Sequence, residues 1–177
     1  MLPQTIQTSR LQLRKPTLSD AEVLFDAYGQ DPEVSKYMVW RPLRNQSEAE
    51  GFINQAVKDW DNQLRFAYVL ATKEEQAPLM GMLDARIEGH VVDVGYVLAR
   101  KYWGHGLMPE ALIKLTAITL QQRSFFRIQA TCDVDNHASI RTLEKCGFRN
   151  EGRLERHTIH PNISDAPRPC FMFARCK

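Results

Sequence analysis

The segment Trp103-Gly104-His105-Gly106-Leu107-Met108-Pro109-Glu110-Ala111 is the part of the chain best suited to hold an anion. The first N–H groups of a helix have no partner inside it, and the macrodipole adds about half a positive charge at that end. Gly104 and Gly106 remove the side chains that would keep a diphosphate off the backbone, so the N–H groups of His105, Gly106, Leu107 and Met108 can point inward together. Pro109 gives up only an N–H that had no helical partner. Arg100 and Lys101 add mobile positive charge beside the turn. On its own a G-x-G is more often an ordinary loop ahead of an amphipathic helix. The mononucleotide loop needs G-K-[ST], and the dinucleotide fingerprint needs a third glycine with a ribose-binding acid beyond it; neither is present.

Other reactive residue types carry less. Cys132, Cys146, Cys170 and Cys176 are irregularly spaced with no C-x-x-C pair, which indicates neither a zinc site nor a redox motif. His157 and His160 lack a carboxylate or cysteine at metal-binding spacing, so no metal is expected. Cys132 reads as a small strand residue filling the core, with nothing nearby in sequence to activate it as a nucleophile.

The elements that must position these residues follow from periodicity. Arg10 to Arg14 alternates as a half-buried strand, and Ser19-Asp20 offers cap chemistry to a helix running to about Tyr28. Asp31-Pro32 breaks that pattern. The stretch to Asn45 carries Met38, Trp40, Arg41 and Pro42 without a period, either as a binding loop or as a surface loop pinned by two aromatics. Ser47 and Glu50 form a capping box for a helix with Phe52, Ile53, Ala56, Val57 and Trp60 on one face. Phe66 to Thr72, Leu79 to Arg86 and Val91 to Leu98 read as an antiparallel meander with turns at Lys73 to Pro78 and Glu88 to His90. A helix to about Gln122, a strand at Arg127 to Asp133 and a helix opened by Asn136 and stopped by Gly147 come next. Strands near Gly152 to His160 and Pro169 to Arg175 close the chain. The order is mixed α/β (α+β), with about seven strands and about four helices. Its one parallel crossover, Val91 to Asp133, points ligands toward Trp103 to Met108, because such sheets bind at the carboxyl ends of their strands.

With 177 residues, 44% hydrophobic and 25% charged, the chain has the size and composition of a single globular domain over 1–177, neither disordered nor membrane-embedded. A net charge of +2 with dispersed basic residues gives no reason to expect nucleic acid, and no stretch approaches the roughly 18 apolar residues of a membrane span. A reducing cytoplasm is the compartment this composition suggests.

Taken together, the motifs resemble the GNAT acetyltransferases. The general acetyl-CoA turn of that family, Q/R-x-x-G-x-G/A, falls here on Trp103, Gly106 and Met108, of which only Gly106 conforms. The branch containing the ribosomal-protein N-terminal acetyltransferases resembles G-Y-x-L-x-x-x-Y-W-G-x-G-x-x-x-E-A. Gly95-Tyr96, Leu98, Tyr102-Trp103-Gly104, Gly106 and Glu110-Ala111 all fit it. Arg10-Leu11-x-Leu13-Arg14 with Asp20-Ala21, Asp31-Pro32-Glu33-Val34, Asn136-x-x-Ser139 and Leu143-Glu144-Lys145-x-Gly147-Phe148 extend the similarity across the chain.

That resemblance implies a mostly antiparallel GNAT-like sheet whose single parallel strand pair splays apart to admit the pantetheine arm of acetyl-CoA as co-substrate. The acetyl carbonyl would lie near the N–H of Val97 or Leu98, able to stabilise an oxyanion. The acceptor is a primary amine that must lose a proton; Asp93, two residues before Gly95, is the candidate base, against the plainer readings of a solvent-facing strand aspartate or a salt bridge. Many GNAT enzymes place the acid for the thiolate on a tyrosine where this chain has Leu143, and Ser139 is the nearest substitute. Asn136 resembles the residue that hydrogen-bonds pantetheine and equally suits a helix cap. The acceptor site is expected from Tyr37 to Arg44, including Met38, Trp40 and Arg41, from Tyr96, and from the His157 to Arg168 turn. The acceptor is the N-terminus of a protein, ribosomal by the resemblance, or a small-molecule amine; a non-catalytic CoA sensor or another acyl donor stays open. The last strands leave room for a homodimer.

Overall fold

In Leu11-Gln12-Leu13-Arg14 the alternation buries both leucines completely and leaves the polar pair half-buried, as a sheet face packed on a core requires. Residues 1–74 and 77–177 are described by the computed structural model. Of the expected turn at Lys73 to Pro78, Glu75 and Gln76 lie outside them. The described strands are β1 (Thr5–Gln7), β2 (Leu11–Arg14), β3 (Arg65–Thr72), β4 (Gly81–Glu88), β5 (Val91–Leu98), β6 (Arg127–Asp133), β7 (Arg149–Thr158) and β8 (Arg168–Cys176). They form one 8-stranded sheet in the order β1-β2-β3-β4-β5-β6-β8-β7. The helices are α1 (Asp20–Leu24), α2 (Pro32–Ser35), α3 (Gln46–Asp61), α4 (Leu107–Gln121) and α5 (His137–Lys145). The architecture is mixed α/β with a mostly antiparallel sheet, as the resemblance implies, with β1 and the one-turn α2 added to the expected set.

Both faces of the sheet are covered, so β3 is buried at six consecutive positions instead of alternating. On one face Leu83, Val92, Val94, Ile128 and Phe173 pack with Leu112 and Leu115 of α4 and Leu143 of α5. On the other, Ala67, Val69 and Met82 pack with Leu24 of α1 and Ile53 and Ala56 of α3. All strand pairs are antiparallel except β5 with β6. That parallel ladder holds only Val91↔Arg127, Val92↔Ile128 and Asp93↔Gln129. Beyond it β5 runs to Leu98 still paired with β4, and β6 runs to Asp133 still paired with β8. Each strand is held on its outer edge, and the gap between them stays open.

Several local expectations need correction. Ser19 makes no side-chain cap; the buried Asp20 instead accepts from Thr17 N (2.7 Å), Thr17 Oγ1 (3.0 Å) and the Arg14 guanidinium (2.6 and 2.8 Å). The first helix does not run regularly to Tyr28 but widens into a π turn over Phe25–Gly29, where the Gly29 carbonyl accepts from Leu43 N at 2.7 Å. Asp31 begins a turn of helix instead of only breaking one, because its carboxylate caps Glu33 N at 2.9 Å with Pro32 in the first position. The Ser47–Glu50 capping box does not form. Asn45 is extended and its Oδ1 takes Glu48 N at 3.1 Å, so α3 starts at Gln46. β4 begins at Gly81, later than expected, and β7 at Arg149, earlier, with Gly152 at a register shift (φ 139°). Among the described residues no helix is long and apolar enough to cross a membrane.

Candidate active site

Gly104 (φ 80°) and Gly106 (φ 71°) both occupy the left-handed region, where a side chain is disfavoured by roughly 1–2 kcal/mol. Gly106 is the N-cap of α4, and the first intrahelical bond runs from Glu110 N to its carbonyl at 3.2 Å. The N–H groups of Leu107 and Met108 therefore have no intrahelical partner and open at the turn. Trp103 folds back so that its indole Nε1 donates to the Leu98 carbonyl at 2.6 Å, tying the end of β5 to the turn. The positive charge expected there is less free than its sequence position suggests. Arg100 pairs with Asp31 at 3.0 Å, and Lys101 lies 5.0 Å from the Tyr102 ring centre. These two line an open hollow of ≈ 570 Å³ with Ala27 and Asp31, at the rim of the turn instead of inside the gap.

Glu110 fastens a distant segment to the turn. Its carboxylate accepts from Thr8 Oγ1 (2.5 Å), Ser9 Oγ (2.9 Å), Arg10 N (2.8 Å) and Arg10 Nε (2.6 Å), while Arg10 Nη1 donates to the His105 carbonyl at 2.9 Å. Partial burial works against ionisation, but the donors from Thr8, Arg10 and Ser9 prevail and hold the carboxyl down at about 2. The β1–β2 turn is thereby clamped to the glycine turn, a contact spanning about one hundred residues of sequence.

Inside the gap, side chains of β5 alternate between two environments. Val92, Val94 and Tyr96 pack on the α4/α5 side, and Val97 on the α1/α3 side, which Asp93 and Gly95 share by the strand period. A Cβ on Gly81 would sit 2.3 Å from the Val97 carbonyl, so only glycine lets β4 follow β5 to its end. On the α4/α5 side the Tyr96 hydroxyl lies 2.8 Å from Ser139 Oγ and 3.3 Å from the Ser139 carbonyl. Asn136 caps α5, its Oδ1 accepting from Ser139 N at 3.1 Å. Leu143 is fully buried. Burial pushes the Tyr96 phenol far up, and the Cys132 thiol up to about 12.

On the α1/α3 side Asp93 is paired with Arg86, Nε at 3.2 Å and Nη2 closer, so it is both a strand carboxylate and one half of a salt bridge. The two segments expected to form the acceptor site meet. Asn162 Nδ2 donates to the Ser35 and Trp40 carbonyls (2.6 and 2.8 Å), Tyr37 OH to the Asp135 carbonyl (3.1 Å), and Arg41 pairs with Asp165 at 3.3 Å. Met38 and Trp40 are half-buried and Arg41 exposed. Beneath them lies a network the sequence did not reveal. Asp133, with no exposed surface, accepts from Arg168 Nε at 2.6 Å and Nη2 at 3.1 Å, and Arg168 also reaches Asp135 at 2.7 Å. His160 Nε2 lies 3.7 Å from Asp133; burial keeps its imidazole below the ordinary range against the pull of that carboxylate. No periodicity links residues thirty-five apart. The one usable signal was an aspartate closing a strand whose preceding residues alternate polar and apolar, next to the buried Cys132. Among the described residues no cluster of His, Cys, Asp and Glu could hold a metal ion.

Residues 10–149 match the family described as the acetyltransferase (GNAT) domain. The chain is 34% identical over 154 residues to the uncharacterized N-acetyltransferase p20 of Bacillus licheniformis, covering 85% of each. It is 25% identical over 162 residues to the ribosomal protein uS5 alanine N-acetyltransferase of Escherichia coli (strain K12), covering 87% of this chain and 82% of that one. Among solved structures, the microcin C7 self-immunity acetyltransferase MccE in complex with acetyl-CoA and AMP superposes with a TM-score of 0.87 at 25% identity, covering 99% of this chain and 98% of the other.

Proposed function

The chain belongs to the GNAT acetyltransferase family and is an N-acetyltransferase that uses acetyl-CoA; from that premise we propose that a primary amine, the N-terminus of a protein, attacks the bound thioester directly in a ternary complex. The observation that carries this reading is the parallel ladder that stops at Asp93/Gln129 while β5 runs on to Leu98, ahead of the glycine turn. It leaves facing strand edges to take pantetheine amides as another strand would, while the N–H groups of His105, Gly106, Leu107 and Met108 take the diphosphate.

Successive N–H groups of a strand point to opposite edges, so one of Val97 and Leu98 faces the gap and donates to the oxyanion. The amine arrives from the α1/α3 side, past Met38, Trp40 and Arg41, and loses its proton to Asp93 directly or through water. The thiolate leaves toward the α4/α5 side, where Ser139 stands in place of the tyrosine absent at Leu143 and Asn136 holds pantetheine. A thiol pushed up to about 12 stays protonated, which speaks against Cys132 as an acyl carrier. Alignment of the two substrates supplies about 7–11 kcal/mol in favourable cases, enough to make a covalent intermediate unnecessary.

The uS5 relative supports a protein N-terminus, and the AMP bound to MccE supports a small-molecule acceptor as the second reading. Thiol release from acetyl-CoA, measured with peptides beginning with Ala or Ser and with a panel of small amines, separates the two. Turnover confined to small amines overturns the first. Asp93→Asn lowers kcat about a hundred-fold if Asp93 is the base, with acetyl-CoA affinity within two-fold; an unaltered rate at saturating substrates removes Asp93 from the mechanism.

A further inference from the structure

Leu143 leaves α5 without a phenol, yet a tyrosine reaches this helix from the facing wall of the gap. Tyr96, on β5, places its hydroxyl 2.8 Å from Ser139 Oγ across forty-three residues of sequence. We propose that Tyr96 is a positioning residue for acetyl transfer, donating its hydrogen to Ser139 Oγ so that the Ser139 hydrogen is aimed at the departing sulfur of CoA. This rests on the reading above that places Ser139 at the thiolate.

A serine on a helix has a freely turning hydroxyl, and on α5 its usual resting partner is the carbonyl one turn back. Two restraints remove that freedom here. Asn136 Oδ1 holds the Ser139 N–H at 3.1 Å, which fixes the backbone, and the Tyr96 hydroxyl at 2.8 Å, as donor in the proposed arrangement, takes one lone pair of Oγ. Of the two acceptors near Tyr96, Oγ at 2.8 Å lies within the O–H···O optimum and the Ser139 carbonyl at 3.3 Å lies outside it. The phenol itself is a poor proton source, because burial raises its pKa far above that of a free thiol. Its service is therefore direction and not ionisation.

The step balances without a charged hydroxyl. The amine nitrogen forms the new bond to the acetyl carbon, the C–S bond breaks, and its electron pair stays on sulfur, which accepts the Ser139 hydrogen bond. The proton lost by the amine reaches sulfur afterwards through the base and solvent. A hydrogen bond to the charged form favours it, so the thiol of bound CoA should ionise more readily than in a site lacking the pair.

Tyr96→Phe removes only the hydroxyl. The expected result is a fall in kcat of about ten-fold, KM for acetyl-CoA within two-fold, an unchanged melting temperature, and a double variant with Ser139→Ala no slower than Ser139→Ala alone. A second readout needs no turnover: thiolate absorbance of CoA bound to the protein, followed against pH, should shift up by about one pH unit in Tyr96→Phe. Wild-type kcat together with wild-type titration in Tyr96→Phe overturns the proposal, as does full additivity with Ser139→Ala. Full activity of Ser139→Ala instead overturns the placement of Ser139 itself. A slow Ser139→Ala beside an unaffected Tyr96→Phe overturns only the role of Tyr96.

Discussion

Replacing Glu110 by Gln tests how the glycine turn is kept in shape. The substitution preserves length and volume but removes the charge on which Thr8, Ser9 and both Arg10 donors converge. In the folded protein the carboxyl sits at about 2, against an ordinary 4.5; at about 1.4 kcal/mol per pH unit, the upper limit of the charge-dependent contribution is about 3.5 kcal/mol. The Glu110 side chain is 16% exposed and its Arg10 partner 50%, so solvent screening brings the expected loss nearer to about 2 kcal/mol. A depressed folded-state pKa gives stability that is complete above about 4.5 and lost as the pH falls toward about 2. Urea unfolding of wild type and E110Q at a series of pH values reads both points. The gap should be about 2 kcal/mol at pH 7 and should narrow steadily below about pH 4.5. The loosened Arg10–His105 contact should weaken CoA binding about ten-fold as well. A gap independent of pH, or an E110Q variant as stable as wild type, refutes the clamp.

Gly106→Ala forces an L-residue to φ 71° and sets a methyl group at the proposed diphosphate position. Calorimetry should show about 1 kcal/mol of lost stability and CoA affinity lowered at least ten-fold; undiminished affinity places the diphosphate elsewhere. Arg168→Gln leaves the fully buried Asp133 carboxylate without its main partner, a change that costs about 3–5 kcal/mol. It should be read as a fall in melting temperature accompanied by a raised KM for the acceptor and not for acetyl-CoA, and equal changes in both KM values would argue against an acceptor site on this side.

What could be read from the sequence depended on how local its cause was. Strands β2 to β6 and helices α3 to α5 were legible because an apolar pattern, continuous in β3 and periodic in the others, runs along each element. Gly104 and Gly106 were legible as a bare stretch of backbone ahead of a helix, while their left-handed conformation came only with the structure. The cap of α3 was misplaced by one competing polar residue, since Asn45, Ser47 and their downstream glutamates offer nearly equal chemistry. β1 was missed because three residues, Thr5–Gln7, carry too little period to register before their pairing with β2 is known.

The sequence by itself determined the turn that suits a diphosphate, the crossover that puts this turn at the end of a parallel strand pair, and the absence of a phenol at position 143. Only the tertiary structure decided what surrounds them. The clamp from Glu110 to the β1–β2 turn, the Asp133–Arg168–His160 network and the contact between Tyr96 and Ser139 join residues separated by 27 to about a hundred positions. The physical reason is that a hydrogen bond or ion pair depends on distances and directions in space, which the chain acquires only when β5 and β6 part and α4 and α5 pack across one face of the sheet.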